Sequence, residues 1–252
     1  MSTPIASPAP PALLARNLTV SYNDVRALDA VGVSVGTGSI CGLIGVNGSG
    51  KSTLFKALMG LLVPAAGTVE LYGRSSREAR QRGLVAYVPQ AEDVDWDFPV
   101  SVADVVAMGR YGLMGPSRRA SAADRAAVDA ALERVGLSGL RRRQIGELSG
   151  GQRKRAFVAR SIAQDAKLLL LDEPFAGVDR SSETTLTALL QELRDEGRSV
   201  LMSTHDLAGV SQLCDSAVLL HNRVLARGRP EDVLTPSNLA LAFGGALEIR
   251  EP

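Results

Sequence analysis

Three short stretches of the chain hold residue types that handle phosphate, magnesium and water. The first, Gly45-Val46-Asn47-Gly48-Ser49-Gly50-Lys51-Ser52, matches the phosphate-loop pattern G-x-x-x-x-G-K-[ST]. Its glycines let backbone amides face phosphate oxygens, and a helix start behind them adds partial positive charge. In that arrangement Lys51 neutralises the β- and γ-phosphates and the Ser52 hydroxyl ligates Mg²⁺. A flexible Gly/Ser turn is the bland alternative, but chance rarely produces the whole pattern between a strand and a helix. The second stretch, Leu168-Leu169-Leu170-Leu171-Asp172-Glu173-Pro174, sets two acids at the end of an apolar strand. An unpaired acid there is costly, so Mg²⁺ is the natural partner of Asp172, and Glu173 is left to act on water as a general base. A solvated acidic turn is the competing reading, weakened by the phosphate loop upstream. In the third stretch, Leu148-Ser149-Gly150-Gly151-Gln152, Ser149 and Gln152 have the spacing of a capping box. That explains two residues but not Gly150 and Gly151, poor helix formers whose missing side chains would let an anion reach exposed amides. A second phosphate-binding helix end is the expectation.

The elements needed to position these stretches are legible in the hydrophobic period. Residues 39–46 form a continuous apolar strand feeding the glycine-rich turn, after which Leu54, Leu58 and Leu61 recur at helical spacing. Earlier, residues 13–34 alternate in short β-type runs (18–22 and 31–35) that suit an antiparallel sheet. Strands are expected at 67–72 and 84–88, then helices at 102–108 (capped by Ser101), 120–135 and 152–164, which make an inserted helical lobe spanning about 91–164. Beyond it a strand at 168–171, a helix at 181–196, a strand at 199–203, a helix at 207–213 and a strand at 217–221 imply a parallel sheet.

Composition bounds what such a site could serve. The 252 residues are 45% hydrophobic and 22% charged, usual for a folded domain. With 28 Lys plus Arg against 27 Asp plus Glu, the net charge of +1 argues against nucleic acid as a partner. Cys41 and Cys214 suggest no disulfide framework, and with His205 and His221 they do not form a metal-binding spacing. Residues 1–12, rich in Ser, Pro and Ala, read as a disordered lead-in rather than a secretory signal. Apolar stretches fall short of the roughly 20 residues that span a bilayer, so a cytoplasmic chain is expected. One domain is expected over 13–235, with 236–252 an uninformative tail.

The three motifs, in this order, resemble those of the ATP-binding cassette of ABC transporters: Walker A (45–52), the signature (148–152) and Walker B (168–173), with the resemblance extending over 13–234. It implies an α/β fold with a P-loop NTPase (RecA-like) core, a parallel sheet, an antiparallel β subdomain and an inserted helical subdomain. It also implies an ATPase that uses ATP and Mg²⁺. By the same resemblance the nucleotide is held by Gly45, Asn47, Gly48, Ser49, Gly50, Lys51, Ser52 and Thr53 of the loop. Tyr22 stacks on adenine, and the signature residues Ser149, Gly150, Gly151 and Gln152 complete the site of a second copy. Ser52, Gln90 and Asp172 surround the magnesium; Glu173, His205 and Gln90 serve the hydrolysis. Asp179 takes the D-loop position, although the common Ser-Ala-Leu-Asp is here Phe175-Ala176-Gly177-Val178-Asp179.

A homodimer of cassettes beneath integral membrane permease subunits, on the inner face of the cell membrane, is implied. The segment 88–100, Met108-Gly109-Arg110-Tyr111-Gly112 and the run 172–179 resemble the manganese, zinc and iron importer subfamily, which works with an extracytoplasmic metal-binding protein. Asp93, Asp95 and Asp97 are not an EF-hand, because Phe98 stands where its glycine must be. With Trp96 and Phe98 they fit a permease-docking surface better than the alternative, a solvated loop with a core aromatic. Arg141, Arg142 and Arg143 read as a solvated turn. An ABC ATPase for another cargo, such as a metal chelate, and a soluble assembly-factor ATPase are the alternative readings.

Overall fold

A computed structural model describes residues 10–23, 25–90, 99–115 and 118–244. Asp93, Asp95, Trp96, Asp97 and Phe98 lie outside them. In chain order the elements are β1 (Leu13–Tyr22), β2 (Val25–Val35), β3 (Ile40–Ile44), α1 (Lys51–Leu58), β4 (Ala66–Leu71), α2 (Ser76–Gln81), β5 (Val85–Val88), α3 (Val102–Ala107), α4 (Ala122–Arg134) and α5 (Gly150–Ala163). They continue as β6 (Leu168–Leu171), α6 (Arg180–Asp195), β7 (Ser199–Thr204), α7 (Leu207–Leu213), β8 (Ser216–His221), β9 (Arg223–Gly228), α8 (Pro230–Val233) and α9 (Pro236–Phe243).

Continuous apolar strands end up buried on both faces because the central sheet has a hydrophobic core on each side. In β6, Leu169 and Leu171 enter the core shared with the helical lobe, while Leu168 and Leu170 enter the core shared with the antiparallel sheet. Ile40 and Ile44 against Cys41 and Leu43 divide the same way in β3. The six-stranded sheet runs β5-β6-β7-β3-β8-β9, parallel except for β9, which is antiparallel to β8. A separate antiparallel sheet, β2-β1-β4, covers one face. This order puts the carboxyl ends of β3, β6 and β7 side by side, where α/β sheets place their ligands.

The helical lobe consists of α3, α4 and α5, each opened by a serine capping box: Ser101 with Asp104, Ser121 with Asp124, Ser149 with Gln152. Arg110 fastens the lobe internally, donating to Asp124 Oδ1 at 2.9 Å and to the Ala163 carbonyl at 2.9 Å. The Ser121 hydroxyl and amide, with Arg110 beside them, hold the Asp124 carboxyl down to about 2.

Both ends of the domain differ from the sequence expectation. Ala12 is fully buried and its carbonyl accepts the Tyr72 amide, while the Thr37 hydroxyl donates to the Pro10 carbonyl, so the fold already begins inside the expected lead-in. The expected tail begins with α9, which has Thr235 as N-cap and proline at its first position. Ala242 of α9 is buried, and its carbonyl accepts from His221 Nδ1 at 3.1 Å. The apolar side of an eight-residue helix is too short a signal to separate from coil, but packing against β8 and β9 supplies what propensity alone does not. The strand β9 and the short helices α2 and α8 likewise lie outside the elements expected from the hydrophobic period. No described helix is long and apolar enough to cross a membrane.

Candidate active site

The glycine-rich loop joins β3 to α1, and its conformation follows from its sequence. Gly50, the residue before α1, has φ +99°, and a Cβ there would meet the Ala27 carbonyl at 2.6 Å. Glycine is therefore required where the loop turns into the helix. The first-turn amides of α1 have no intrahelical acceptors, and neither a side-chain cap nor an acid serves them. Lys51 is buried, its Nζ donating to the carbonyls of Gly45 at 2.8 Å and Val46 at 3.1 Å. Burial pushes its pKa down, opposed by the carboxylates of Glu173 and Asp172. The Ser49 hydroxyl is buried without a hydrogen-bond partner. A cation, free amides and an unmatched hydroxyl at one strand end form a cradle for an anion.

Opposite the loop, β6 delivers Asp172 and Glu173, both buried. Asp172 Oδ2 accepts from Ser52 Oγ at 3.0 Å, and Oδ1 accepts from Ser203 Oγ at 2.6 Å. Ser203 in turn accepts the Glu173 amide at 2.9 Å. Tyr87 OH stands 3.5 Å from Asp172 Oδ2, at the outer limit of a hydrogen bond. The Glu173 carboxylate pairs with His205, Oε2 to Nδ1, at 2.8 Å. His205 itself is largely exposed, its side chain 70% accessible against 8% for Glu173.

These groups line or border an open cleft of about 320 Å³ walled by Tyr22, Asn47, Gly48, Gly50, Lys51, Ser52, Thr53, Gln90, Asp172 and Glu173, with Ala27. Tyr22, at the end of β1, is half exposed. The phosphate loop, the two acids, Tyr22 and Gln90 thus come together, and His205 joins through Glu173.

The signature turn does not. Ser149 and Gly150 are exposed, and no residue of 148–152 lines the cleft. The capping box is realised: Ser149 Oγ accepts the Gln152 amide at 3.3 Å, and Gln152 Oε1 accepts the Ser149 amide at 3.0 Å. Gly151 has a packing reason besides anion access. A Cβ there would lie 2.6 Å from the Ser182 side chain in the first turn of α6. Asp179 is the N-cap of that same helix, its carboxylate accepting the Ser182 amide at 3.0 Å. That bond and the Ser182 hydroxyl hold its pKa below the usual carboxylate value.

Two residues of the site were missed in the sequence reading. Ser203 looks like ordinary strand residue, and only the pairing of Leu171 with Met202 sets it opposite Asp172. Lys154, two residues past the signature, donates to the Glu173 carbonyl. A lysine on a helix gives no single-sequence sign of such a contact.

A loop-and-acid cleft on a parallel sheet of this order, with a helical lobe inserted before β6, defines a nucleotide-hydrolysing cassette, and the ABC transporter family model matches residues 28–176. The chain belongs to this family and is an ATPase whose hydrolysis is coupled to transport. It is 55% identical over 229 residues to the manganese transport system ATP-binding protein MntA of Synechocystis sp., covering 90% of this chain and 88% of that protein. The chelated iron transport system membrane protein YfeB of Yersinia pestis is 53% identical, covering 94% and 80%. The zinc transport system ATP-binding protein TroB of Treponema pallidum is 44% identical, covering 92% and 86%. Among solved structures, cbiO1 from Clostridium perfringens, part of the ABC transporter complex cbiONQ, superposes with a TM-score of 0.75 at 28% identity, covering 94% of this chain and 96% of that one. A nucleotide-free ATP-binding cassette from an ABC transporter shares the fold with a TM-score of 0.80 at 24% identity, covering 91% and 97%.

Proposed function

We propose that the chain is the ATP-hydrolysing subunit of an importer for a divalent metal ion, manganese, zinc or iron, working beneath separate permease subunits on the inner face of the cell membrane. The cargo class is supported by relatives whose names specify manganese, chelated iron and zinc transport systems. Permease subunits are supported by relatives named as ATP-binding proteins of transport systems. An extracytoplasmic metal-binding protein belongs to the same reading. Exposed Met108, Tyr111 and Leu113, in the helical lobe, offer an apolar edge for the permease.

The observation that carries the ATPase chemistry is the meeting of Lys51, Ser52, Asp172 and Glu173 in one cleft while the signature turn stands outside it. Lys51 exchanges its two carbonyl acceptors for β- and γ-phosphate oxygens as the nucleotide enters. Tyr22 presents an aromatic face to adenine at the cleft's edge. Asn47, Gly48, Ser49, Gly50 and Thr53 supply loop and helix-start donors, with Gly45 at the loop's start. Ser52 Oγ and Asp172 Oδ2, 3.0 Å apart, with the Gln90 amide at the same cleft, form a hard-oxygen set that suits Mg²⁺, which binds through few protein oxygens together with phosphates and water. Bound there, Mg²⁺ would neutralise charge building on the phosphates. Glu173 takes the proton of the water that attacks the γ-phosphorus, yielding ADP and phosphate. His205 Nδ1 holds one carboxylate oxygen of Glu173, Oε2, leaving Oε1 for the water.

The signature, Ser149 and Gly150 exposed at its tip with Gly151 and Gln152 behind them, then serves the cleft of a second copy in a head-to-tail homodimer, with Asp179 beside it at the start of α6. The Ser149 hydroxyl proton is not used in its capping contact and is free for a phosphate oxygen.

The test is Glu173→Gln in the full chain. ATP binding by calorimetry is expected to persist while turnover falls about 10²-fold or more and ATP-bound dimers accumulate. Near-normal turnover removes Glu173 from the base role. Metal accumulation in cells lacking the chain, scanned over manganese, zinc and iron, tests the cargo.

A further inference from the structure

The peptide backbone of Glu173 is gripped on both sides. Its amide donates to Ser203 Oγ at 2.9 Å, and its carbonyl accepts hydrogen bonds from Lys154 Nζ and from the Ala176 amide at 3.2 Å. Glu173 has φ +51°, a left-handed conformation that non-glycine residues keep only where their surroundings over-determine it. The two side chains, one from the end of β7 and one from α5, supply that determination together with the Ala176 amide of the following turn.

The helix α5 has packing and capping contacts that do not involve Lys154. It has a complete capping box, and it buries Gly151, Ala156, Val158, Ala159, Ser161, Ile162 and Ala163. Lys154 is instead half-buried, and its desolvation lowers its pKa against the pull of Glu173 and Asp172. The same helix ties down the other side of the cleft: Arg160 donates to the Tyr87 carbonyl at 3.0 Å, three residues before Gln90. A cation spending its solvation to hold one carbonyl marks a place where backbone position matters.

We infer that Lys154 is a positioning residue for hydrolysis: by holding the Glu173 carbonyl it fixes the left-handed backbone from which the Glu173 carboxylate meets the attacking water. The helix that presents the signature turn is thereby joined to the base of its own chain. This inference rests on Glu173 being that base.

The test compares Lys154→Met, Lys154→Arg and Glu173→Gln with the parent, in the full chain. Steady-state ATPase gives kcat and KM, calorimetry gives ATP affinity, and thermal unfolding reports folding. Lys154→Met is expected to lose roughly tenfold or more in kcat, as small misplacements of a reacting group do. ATP affinity and KM stay within about twofold, since the loss falls on the chemical step and not on nucleotide binding. Lys154→Arg, which keeps a charged donor, recovers most of the lost kcat. A Lys154→Met kcat within about twofold of the parent overturns the inference. So does a loss shared equally by affinity and kcat, and so does an Arg variant no better than Met. If Lys154→Met does not fold, Lys154→Gln replaces it on the same criteria. Normal turnover in Glu173→Gln overturns the base assignment itself; a dead Glu173→Gln with a normal Lys154→Met overturns only the role of Lys154.

Discussion

Replacing Ser203 by alanine removes one hydroxyl that serves two buried groups. Ser203 is fully buried; its Oγ donates to Asp172 Oδ1 at 2.6 Å and accepts the Glu173 amide at 2.9 Å. A hydrogen bond to a charged group contributes about 1.5–3 kcal/mol, and stranding a buried donor costs about 1–3 kcal/mol. Asp172 keeps Ser52 as a donor, whereas Ser203 Oγ is the acceptor of the Glu173 amide among the described residues. Because both bonds share one oxygen, the terms are not independent, and the expected loss is about 2–4 kcal/mol. For a chain of this size 3 kcal/mol corresponds to roughly 6–12 °C in Tm. Urea unfolding of the nucleotide-free chain measures it directly. A double-mutant cycle with Asp172→Asn should return a coupling of about 1 kcal/mol or more. A Ser203→Ala chain less than about 1 kcal/mol weaker than the parent would refute the claim that this hydroxyl holds the acidic pair together.

Gly151→Ala places a Cβ 2.6 Å from the Ser182 side chain, and overpacking of that kind costs about 1–3 kcal/mol. The nucleotide-free chain should show the loss, and adding Ser182→Gly should return part of it; if stability is unchanged and only ATP turnover suffers, ligand access rather than packing is the reason for the glycine. Asp124, held at about 2 against an ordinary value of 3.8, gives a pH signature. Its folded pKa is depressed, so its stabilisation is complete above the unfolded value and fades as pH falls through the folded one. The stability gap between the parent and Asp124→Asn should hold from neutral pH down to about 4 and narrow toward about 2; a gap that stays constant through that range contradicts the bonding described.

Local chemistry is what the sequence made readable. The phosphate loop is one contiguous strand, turn and helix start, so Gly50, Lys51 and Ser52 take their relation to one another from neighbouring residues. The serine caps at 101 and 149 are local for the same reason, each satisfied within three residues; the cap at 121 falls inside the helix expected over 120–135. The continuous apolar runs at β3 and β6 showed strands buried on both faces. Where the signal was short or half-exposed, reading failed: β9, with no fully buried residue, and α9, eight residues long, are held by their neighbours. The glycines of the signature were legible as unusual, yet the Ser182 contact that explains Gly151 comes from a helix thirty residues away in sequence.

The chain's order of amino acids determined which groups are present: a phosphate cradle, a pair of acids, a histidine and a capped glycine turn. Tertiary structure decided which of them meet. Strand β7 runs between β6 and β3, so a hydroxyl at its end can bridge an acid and the backbone of the next residue, and Ser52 and Asp172 come within 3.0 Å across a gap of 120 residues. The same packing keeps the signature turn at the surface, outside its own cleft. Side-chain identity is written locally, but the distances that make a site depend on how strands are ordered, and that order is set by burying both faces of one sheet.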